Sequence, residues 1–409
     1  MNAGASHIVV MGGGHAGGAA VAFLRQFGWK DPITLVCAES ALPYQRPPLS
    51  KAWLNGEISE KDLLLRPAKF YSDHAIAIRP NVAAVAVDPG QQTVRLGCGA
   101  SLQYSHLIAA TGAHPLAMPG TEGLTGVLLL RTIADAEKIR LAMRAGSNLV
   151  VIGGGFVGLE VAATARSLGM SVTIVEREPH LLSRVASRTL AAFVEGFFRR
   201  NQVRLELGCT VDSFASDEGR VTGVRLSNGA QLNADAVVVG IGARPNDAIL
   251  REAGIRCESG VIVDDCARTS HDAIFAIGDC TNRPLPQLGI RARLESVPSA
   301  LEQARQAAST ICGRPAPKPE VPWFWSDQFD LRIQIAGLRH GTTETIVRGE
   351  VESARFAVFH LGEGDVVRAV EAVNAAPEFM MGKTLIAQQR PVSREKLSNM
   401  AVAIRDVAI

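Results

Sequence analysis

One short unit occurs twice in this chain, and that repetition limits what it can fold into more than any other feature. In the first copy the apolar run Ile8-Val9-Val10-Met11 enters Gly12-Gly13-Gly14-His15-Ala16-Gly17-Gly18. Ala19 to Phe27 then follow with helical spacing, ahead of a second apolar run, Ile33-Thr34-Leu35-Val36. The second copy comes about 140 positions later: Leu149-Val150-Val151-Ile152, Gly153-Gly154-Gly155-Phe156-Val157-Gly158, a helical stretch to Leu168, and Val172-Thr173-Ile174-Val175. Each copy reads as strand, glycine turn, helix and parallel strand, the opening βαβ of a doubly wound sheet.

In a Gly-x-Gly-x-x-Gly turn the first glycine permits the tight exit from the strand. The second lets a pyrophosphate approach the backbone, and the third lets helix and strand pack closely. The exposed N–H groups and dipole of the helix start then hold the phosphates. A single hexad is also compatible with a bare βα turn. Two of them, each behind a strand and ahead of a helix, argue for two dinucleotide sites: Gly12, Gly14 and Gly17 in one, Gly153, Gly155 and Gly158 in the other. Glu176, 18 residues after Gly158, ends the second copy's last strand, where a carboxylate accepts from ribose hydroxyls and repels a 2′-phosphate. That favours NAD, although Arg177 beside it works the other way. In the first copy Glu39 follows Cys37 and Ala38; it reads equally as a ribose ligand and as a solvated loop acid.

Further strands frame the two copies. Leu107-Ile108-Ala109-Ala110 ends in Thr111-Gly112, and Ala236-Val237-Val238-Val239 ends in Gly240-Ile241-Gly242; both are read as crossings between domains. Ile274-Phe275-Ala276-Ile277 ends in Gly278-Asp279. A proline-rich stretch, Pro315 to Pro322, precedes alternating runs such as Arg332-Ile333-Gln334-Ile335 and Phe356-Ala357-Val358-Phe359, which suggest a small antiparallel sheet. The expected division is residues 1–112 and 241–318 around the first dinucleotide, 113–240 around the second, and a C-terminal α+β domain over 319–409.

Composition excludes several classes. Lys+Arg 42 against Asp+Glu 40 leaves a formal charge of +2, so no basic field argues for nucleic acid. The 7 cysteines are scattered and never spaced Cys-x-x-Cys, which excludes a disulfide framework and zinc ribbons and leaves no expected metal site. Met1 to His7 holds no basic segment ahead of an apolar run, so a signal peptide is not expected. The weakly polar run Ile8 to Leu24 changes period partway and is not read as a membrane span. A soluble, cytoplasmic protein is expected.

Two dinucleotide sites imply an internal relay in which one cofactor brings a hydride and the other receives it. A flavin suits the second role, since it takes two electrons and releases them singly. Disulfide-reducing flavoproteins need a dithiol beside the flavin, and no two cysteines here are separated by two or four residues. The loop Ala41 to Lys51 contains no thiol, and Cys37 reads as a small core residue. Electrons are expected to leave the flavin directly.

The Arg46-Pro47-Pro48-Leu49-Ser50-Lys51 loop, Leu130-Arg131-Thr132, the run from Gly153 to Glu160, Ala276-Ile277-Gly278-Asp279-Cys280, Arg293 to Pro298 and Pro322-Trp323-Phe324-Trp325-Ser326-Asp327-Gln328 appear in that order. Together they make nearly the whole chain resemble the ferredoxin reductases of bacterial oxygenase systems, of the putidaredoxin reductase and biphenyl dioxygenase reductase type. The resemblance implies an α/β fold with two Rossmann-like domains in a glutathione-reductase-like arrangement plus the C-terminal domain. It also implies FAD in the first site, NADH in the second, and a [2Fe–2S] ferredoxin as acceptor. By it, Ala16, Ala38, Lys51, Val82, Arg131, Asp279 and Val297 line the flavin, Arg46 lies near its pyrophosphate, and Arg184 contacts NADH, with Glu160 and Gly242 in the same site. Lys51 is expected over the flavin, paired with Glu160, as a cation for negative charge building there. Outside the resemblance, Asp279 reads equally as a ribityl ligand and a turn cap, and Lys51 as a solvated loop residue.

Trp323 and Trp325 alternate, so one is expected in the core and the other elsewhere, beside the ferredoxin dock. A basic rim is expected there, drawn from Arg291, Arg293, Arg305, Arg332 and Arg339, with Arg305, Arg332 and Trp325 as dock residues. Two alternatives stand beside the NADH:ferredoxin reductase. One is an NADH-dependent reductase of a small molecule such as a quinone. The other is a flavoprotein of the apoptosis-inducing-factor branch acting by binding, for which the sequence shows neither a strongly basic domain nor a targeting segment.

Overall fold

The computed structural model describes residues 6–315 and 317–409. Met1–Ala5, on which the reading of the N-terminus largely falls, and Ala316 of the proline-rich stretch lie outside the described residues. The chain divides into two units: Met1–Arg46, Glu60–His114 and Arg244–Trp323 form one, and Pro47–Ser59, Pro115–Ala243 and Phe324–Ile409 the other.

In the first unit a five-stranded sheet runs, in spatial order, Ile274–Ala276, His106–Ala109, Ile8–Met11, Ile33–Val36 and Ile76–Arg79, every neighbour parallel. Its central strands are buried on both faces, which is why they read as continuous apolar runs rather than alternating ones. Alternate residues divide between two cores. Ile8, Val10, Ile33, Leu35 and Ile108 meet Ala20, Val21 and Leu24 of the helix His15–Gln26 and Ala304, Ala307 and Ala308 of the helix Val297–Ile311. Val9, Met11, Val36 and Leu107 meet Val87, Val94 and Leu96 of a three-stranded antiparallel meander, Ala84–Asp88, Thr93–Leu96 and Ser101–Gln103.

The second unit repeats the design. Its parallel sheet is ordered Arg204–Leu207, Ser171–Glu176, Asn148–Ile152, Ala236–Val239, Val127–Leu128. Val150, Ile152, Val175 and Val237 pack on Val221, Val224 and Leu226 of a second antiparallel meander, Val211–Asp217, Arg220–Leu226 and Gln231–Asn233. Beyond Trp323 a five-stranded antiparallel sheet follows in the order Trp323–Gln328, Leu331–Gly337, Val367–Val373, Arg355–Leu361, Glu344–Glu350, with the helix Ala376–Gln388 against it. The alternating runs around Ile333 and Phe356 are strands of this sheet, as their period predicts. Among the described residues, no helix is long and apolar enough to cross a membrane.

Candidate functional site

Strand order reverses beside the central strand of each parallel sheet, and the glycine turns lie at those strands' carboxyl ends, where open α/β sheets bind ligands. The glycines separate into two kinds. A Cβ on Gly12 would stand 2.0 Å from the Ala110 carbonyl oxygen, and one on Gly17 would stand 1.9 Å from the Gly12 oxygen, so the protein's own backbone forbids them. Gly14 has ordinary φ of −82° and nothing within 4 Å of the same point. The second copy repeats this: Gly153 and Gly158 are each blocked at 2.5 Å by backbone oxygens, whereas Gly155 meets only the Gly240 oxygen at 4.0 Å. The packing of the chain gives no reason for glycine at these two middle positions. The protein leaves the point beside each helix start open, as close approach of a pyrophosphate to the backbone requires, so the residues present suit two dinucleotides.

Around the first cup, Asp279 lies in the turn Gly278–Cys280 that follows the strand Ile274–Ala276. Gln303 Oε1 accepts from the Gly278 N–H at 2.8 Å and fixes that turn, and a Cβ on Gly278 would stand 3.0 Å from Ala16. Val297 is the first residue of its helix, behind the N-cap Ser296. Val82 donates its N–H to the Cys37 carbonyl at 3.0 Å and joins Arg79, Leu96, Cys98 and Leu102 around a cavity of about 690 Å³. Ala38 is exposed. Glu39 is engaged: Tyr44 donates its hydroxyl to Oε2 at 2.5 Å and Arg46 donates Nη2 to Oε1 at 2.7 Å, with Arg46 Nη1 donating to the Tyr44 hydroxyl oxygen at 3.0 Å. Burial opposes the Arg46 charge, but Tyr44, Glu39 and Asp279 outweigh it and hold the guanidinium above its ordinary range. Arg46 is thus a fixed cation beside the cup, and Glu39 is an ion-paired residue rather than a solvated acid.

Around the second cup, Glu176 braces the glycine turn. Its Oε2 accepts from the Gly154 N–H at 2.6 Å and its Oε1 from the Glu178 N–H at 2.9 Å. Arg177 points into solvent beside Glu178. Arg184 is exposed, and its Nη2 lies 3.8 Å from where a Gly242 Cβ would stand. Arg131 is half-buried just ahead of a capping box, its N–H donating to Asp135 Oδ2 at 3.2 Å.

Glu160, in the first turns of the helix Phe156–Ser167, is 6% exposed. Lys51 Nζ lies 2.8 Å from its Oε2, Ser50 donates its hydroxyl to the same oxygen at 2.5 Å, and Ser326 donates to Oε1 at 2.6 Å. Thr164 on the same helix donates to the Ser50 carbonyl at 2.9 Å. A buried carboxylate with three donors is well satisfied, and it holds the Lys51 ammonium in one place. Sequence reasoning pairs Lys51 with Glu160 but misses Ser50 and Ser326. Their signal is faint: Ser326 is a polar position in a strand otherwise led by aromatics.

That strand corrects the expectation for the tryptophans. Trp323 and Trp325 are two residues apart, so they share a face of the strand, and both are half-buried; Ser326 and Gln328 fill the buried positions of the other face. Of the basic residues, Arg305 and Arg332 are exposed. Arg291 donates to the Val263 and Asn282 carbonyls, Arg293 pairs with Glu295, and Arg339 lies 3.6 Å from Glu371, so these three already serve the protein itself.

No two cysteines pair among the described residues. Burial first, then Glu39, pushes the Cys37 thiol up to about 12, and burial raises those of Cys257, Cys266, Cys280 and Cys312. None of these five has the lowered pKa of a reactive thiolate, and Cys37 belongs to the core, as its place in the strand suggests.

Known proteins resemble the chain over nearly its whole length. Residues 6–304 match the pyridine nucleotide-disulphide oxidoreductase family, and residues 323–408 match the reductase C-terminal family. A probable ferredoxin reductase from Castellaniella defragrans is 40% identical over 98% of this chain and 98% of its own length. Putidaredoxin reductase from Pseudomonas putida is 37% identical over 98% and 96%. Among solved structures, the covalent putidaredoxin reductase–putidaredoxin complex superposes with a TM-score of 0.96 at 36% identity, covering 98% of this chain and 97% of that one. The ferredoxin reductase for the CYP199A2 system from Rhodopseudomonas palustris gives 0.95 at 36%, covering 99% and 100%. The chain belongs to the pyridine nucleotide-disulphide oxidoreductase family, on the branch of the ferredoxin reductases. It is an FAD-dependent oxidoreductase that uses NAD(P)H.

Proposed function

We propose that the chain carries electrons from NADH, through FAD, to a [2Fe–2S] ferredoxin that supplies a bacterial oxygenase in the cytoplasm. The observation that carries this reading is the pair of open cups at Gly14 and Gly155. They suit two dinucleotides, and no two cysteines of the sequence have the two- or four-residue separation of a dithiol that would pass electrons to a disulfide. The chemistry FAD supplies is acceptance of a hydride and release of single electrons. The balanced reaction is one NADH and two oxidised ferredoxins giving NAD⁺, one proton and two reduced ferredoxins.

The division of labour we assign is residues 1–112 and 241–318 to FAD, 113–240 to NADH and 319–409 to the dock. Gly12, Gly14 and Gly17 cradle the FAD pyrophosphate with Arg46 as counter-charge. Ala16, Ala38, Glu39, Val82, Arg131, Asp279 and Val297 complete its site. Gly153, Gly155, Gly158, Glu176, Arg184 and Gly242 hold NADH, and the Glu176 charge disfavours a 2′-phosphate. Lys51, fixed by Glu160, stabilises negative charge on the cofactor; positioning supplies most of the remaining barrier reduction. Arg305, Arg332 and Trp325 form the dock.

The test is anaerobic NADH oxidation by the purified holoprotein with and without an oxidised [2Fe–2S] ferredoxin. Turnover is expected to depend on ferredoxin concentration and to saturate. A rate indifferent to the iron–sulfur protein, yet supported by a quinone, would replace this acceptor with a small molecule.

A further inference from the structure

The segment from Arg177 to Ala186 lies against the second glycine turn. Leu182 donates its N–H to the Gly154 carbonyl at 3.0 Å, the Leu181 side chain reaches to 2.6 Å from where a Gly154 Cβ would stand, and Arg184 extends toward Gly242. Leu182 holds this position at φ +55°, a left-handed conformation that a bulky residue keeps only when its surroundings impose it. The segment therefore needs anchors. Glu176 fixes its start, and Glu195 Oε1 accepts from the Leu181 N–H at 3.1 Å in its middle.

Its far end is held from the C-terminal sheet. Glu371, fully buried in the strand Val367–Val373, accepts from the Ser187 N–H at 2.8 Å through Oε1 and from the Ser187 hydroxyl at 2.5 Å through Oε2. The nearest cations are looser: His360 Nε2 at 3.4 Å, if protonated, and Arg339 Nε at 3.6 Å. A buried carboxylate in a middle strand, set between Ile335 and Val358 of the neighbouring strands, is costly, and an apolar residue there would be cheaper for stability alone. Both oxygens are committed to one residue, and that residue closes the nucleotide segment.

We propose that Glu371, through Ser187, is a positioning residue for NADH, by which the C-terminal domain sets the nucleotide affinity of the second cup. This rests on the assignment of NADH to that cup. Glu371→Gln keeps the volume and an acceptor for the Ser187 N–H, but it removes the charge and turns an amide NH2 toward the Ser187 hydroxyl, whose own proton then has no acceptor there. Ser187→Ala is the milder variant, retaining the N–H contact, and Ser187→Thr restores the hydroxyl. NAD⁺ titration of the oxidised holoprotein by calorimetry is expected to show about tenfold weaker binding for Glu371→Gln and Ser187→Ala, with recovery in Ser187→Thr. In anaerobic rapid mixing with NADH the concentration dependence shifts likewise, while the limiting rate of flavin bleaching stays within twofold. Tryptic cleavage at Arg184 accelerates in the two weakened variants. Gly155→Val serves as the control for the cup itself. If it weakens NAD⁺ while the Glu371 and Ser187 variants bind as the parent does, the anchor is overturned and the cup stands. If Gly155→Val has no effect either, the cup assignment and the anchor fall together.

Discussion

At Gly14 a side chain would meet nothing of the protein, so its effect falls on what the protein binds. Gly14→Val should purify folded and nearly free of flavin, with far-ultraviolet circular dichroism like the parent and the flavin absorbance band largely gone. Gly12→Ala should fail differently: φ of +117° and a backbone oxygen 2.0 Å away leave no room, and the soluble folded fraction itself should collapse. Retained flavin in Gly14→Val would mean that the cup holds no pyrophosphate. Cys37 makes a second case at this scale. Its thiol is pushed up to about 12 from an ordinary 9.0, so above about pH 9 the unfolded chain ionises it and the folded one does not. The parent should therefore lose stability relative to Cys37→Ala as the pH rises from about 9 toward 12, a trend readable from denaturation midpoints across that range. Ferredoxin-dependent turnover of Cys37→Ala should equal the parent's; a loss of turnover with normal flavin content would return this thiol to the electron path.

Between elements, buried charge decides more than apolar area. Arg283 in the strand Thr281–Leu285 and Glu302 in the helix Val297–Ile311 are 3% and 8% exposed and meet through two contacts of 2.7 and 2.9 Å. Glu302 also accepts from the Glu320 N–H at 2.9 Å, so one carboxylate ties strand, helix and the end of the proline-rich stretch. Glu302→Ala should cost about 3–5 kcal/mol by stranding a buried guanidinium, whereas Arg283→Met with Glu302→Leu should recover most of it. Thermal unfolding of the three proteins measures this, and a single variant as stable as the parent would show that water reaches the pair. Such pairs mark the limit of what the sequence makes legible. The opening strand–turn–helix–strand of each parallel sheet and the Asp279 turn are local patterns of apolar runs and glycine, readable within about 30 residues, whereas the strands Ile76–Arg79, Arg204–Leu207 and Val127–Leu128 carry no such pattern. Ser326 on Glu160 spans 166 positions and Ser187 on Glu371 spans 184, and nothing in either neighbourhood announces its partner. Trp323 and Trp325 were open to a local reading, but a period of two puts both on one face rather than dividing them.

For the whole molecule the charge is nearly balanced at +2, so long-range attraction cannot choose a partner and any steering must come from a local patch. Three of the five arginines suited to such a patch are spent on internal contacts: Arg291 on two carbonyls, Arg293 on Glu295 and Arg339 beside Glu371. Arg305 and Arg332 remain exposed. An acidic ferredoxin recognised by them would gain on-rate and orientation more than affinity. Arg305→Glu with Arg332→Glu should therefore raise the KM for ferredoxin by about tenfold at low ionic strength, with the difference shrinking as salt shortens the Debye length below about 10 Å. Turnover from NADH to ferricyanide, which needs no dock, should be unchanged, since neither arginine belongs to a nucleotide cup. Each single variant measures the share of one arginine. A KM insensitive to both reversals at every salt concentration would move the dock off these arginines while leaving the electron path from NADH intact. A parallel fall in ferricyanide turnover would instead show that the reversals had damaged a cofactor site.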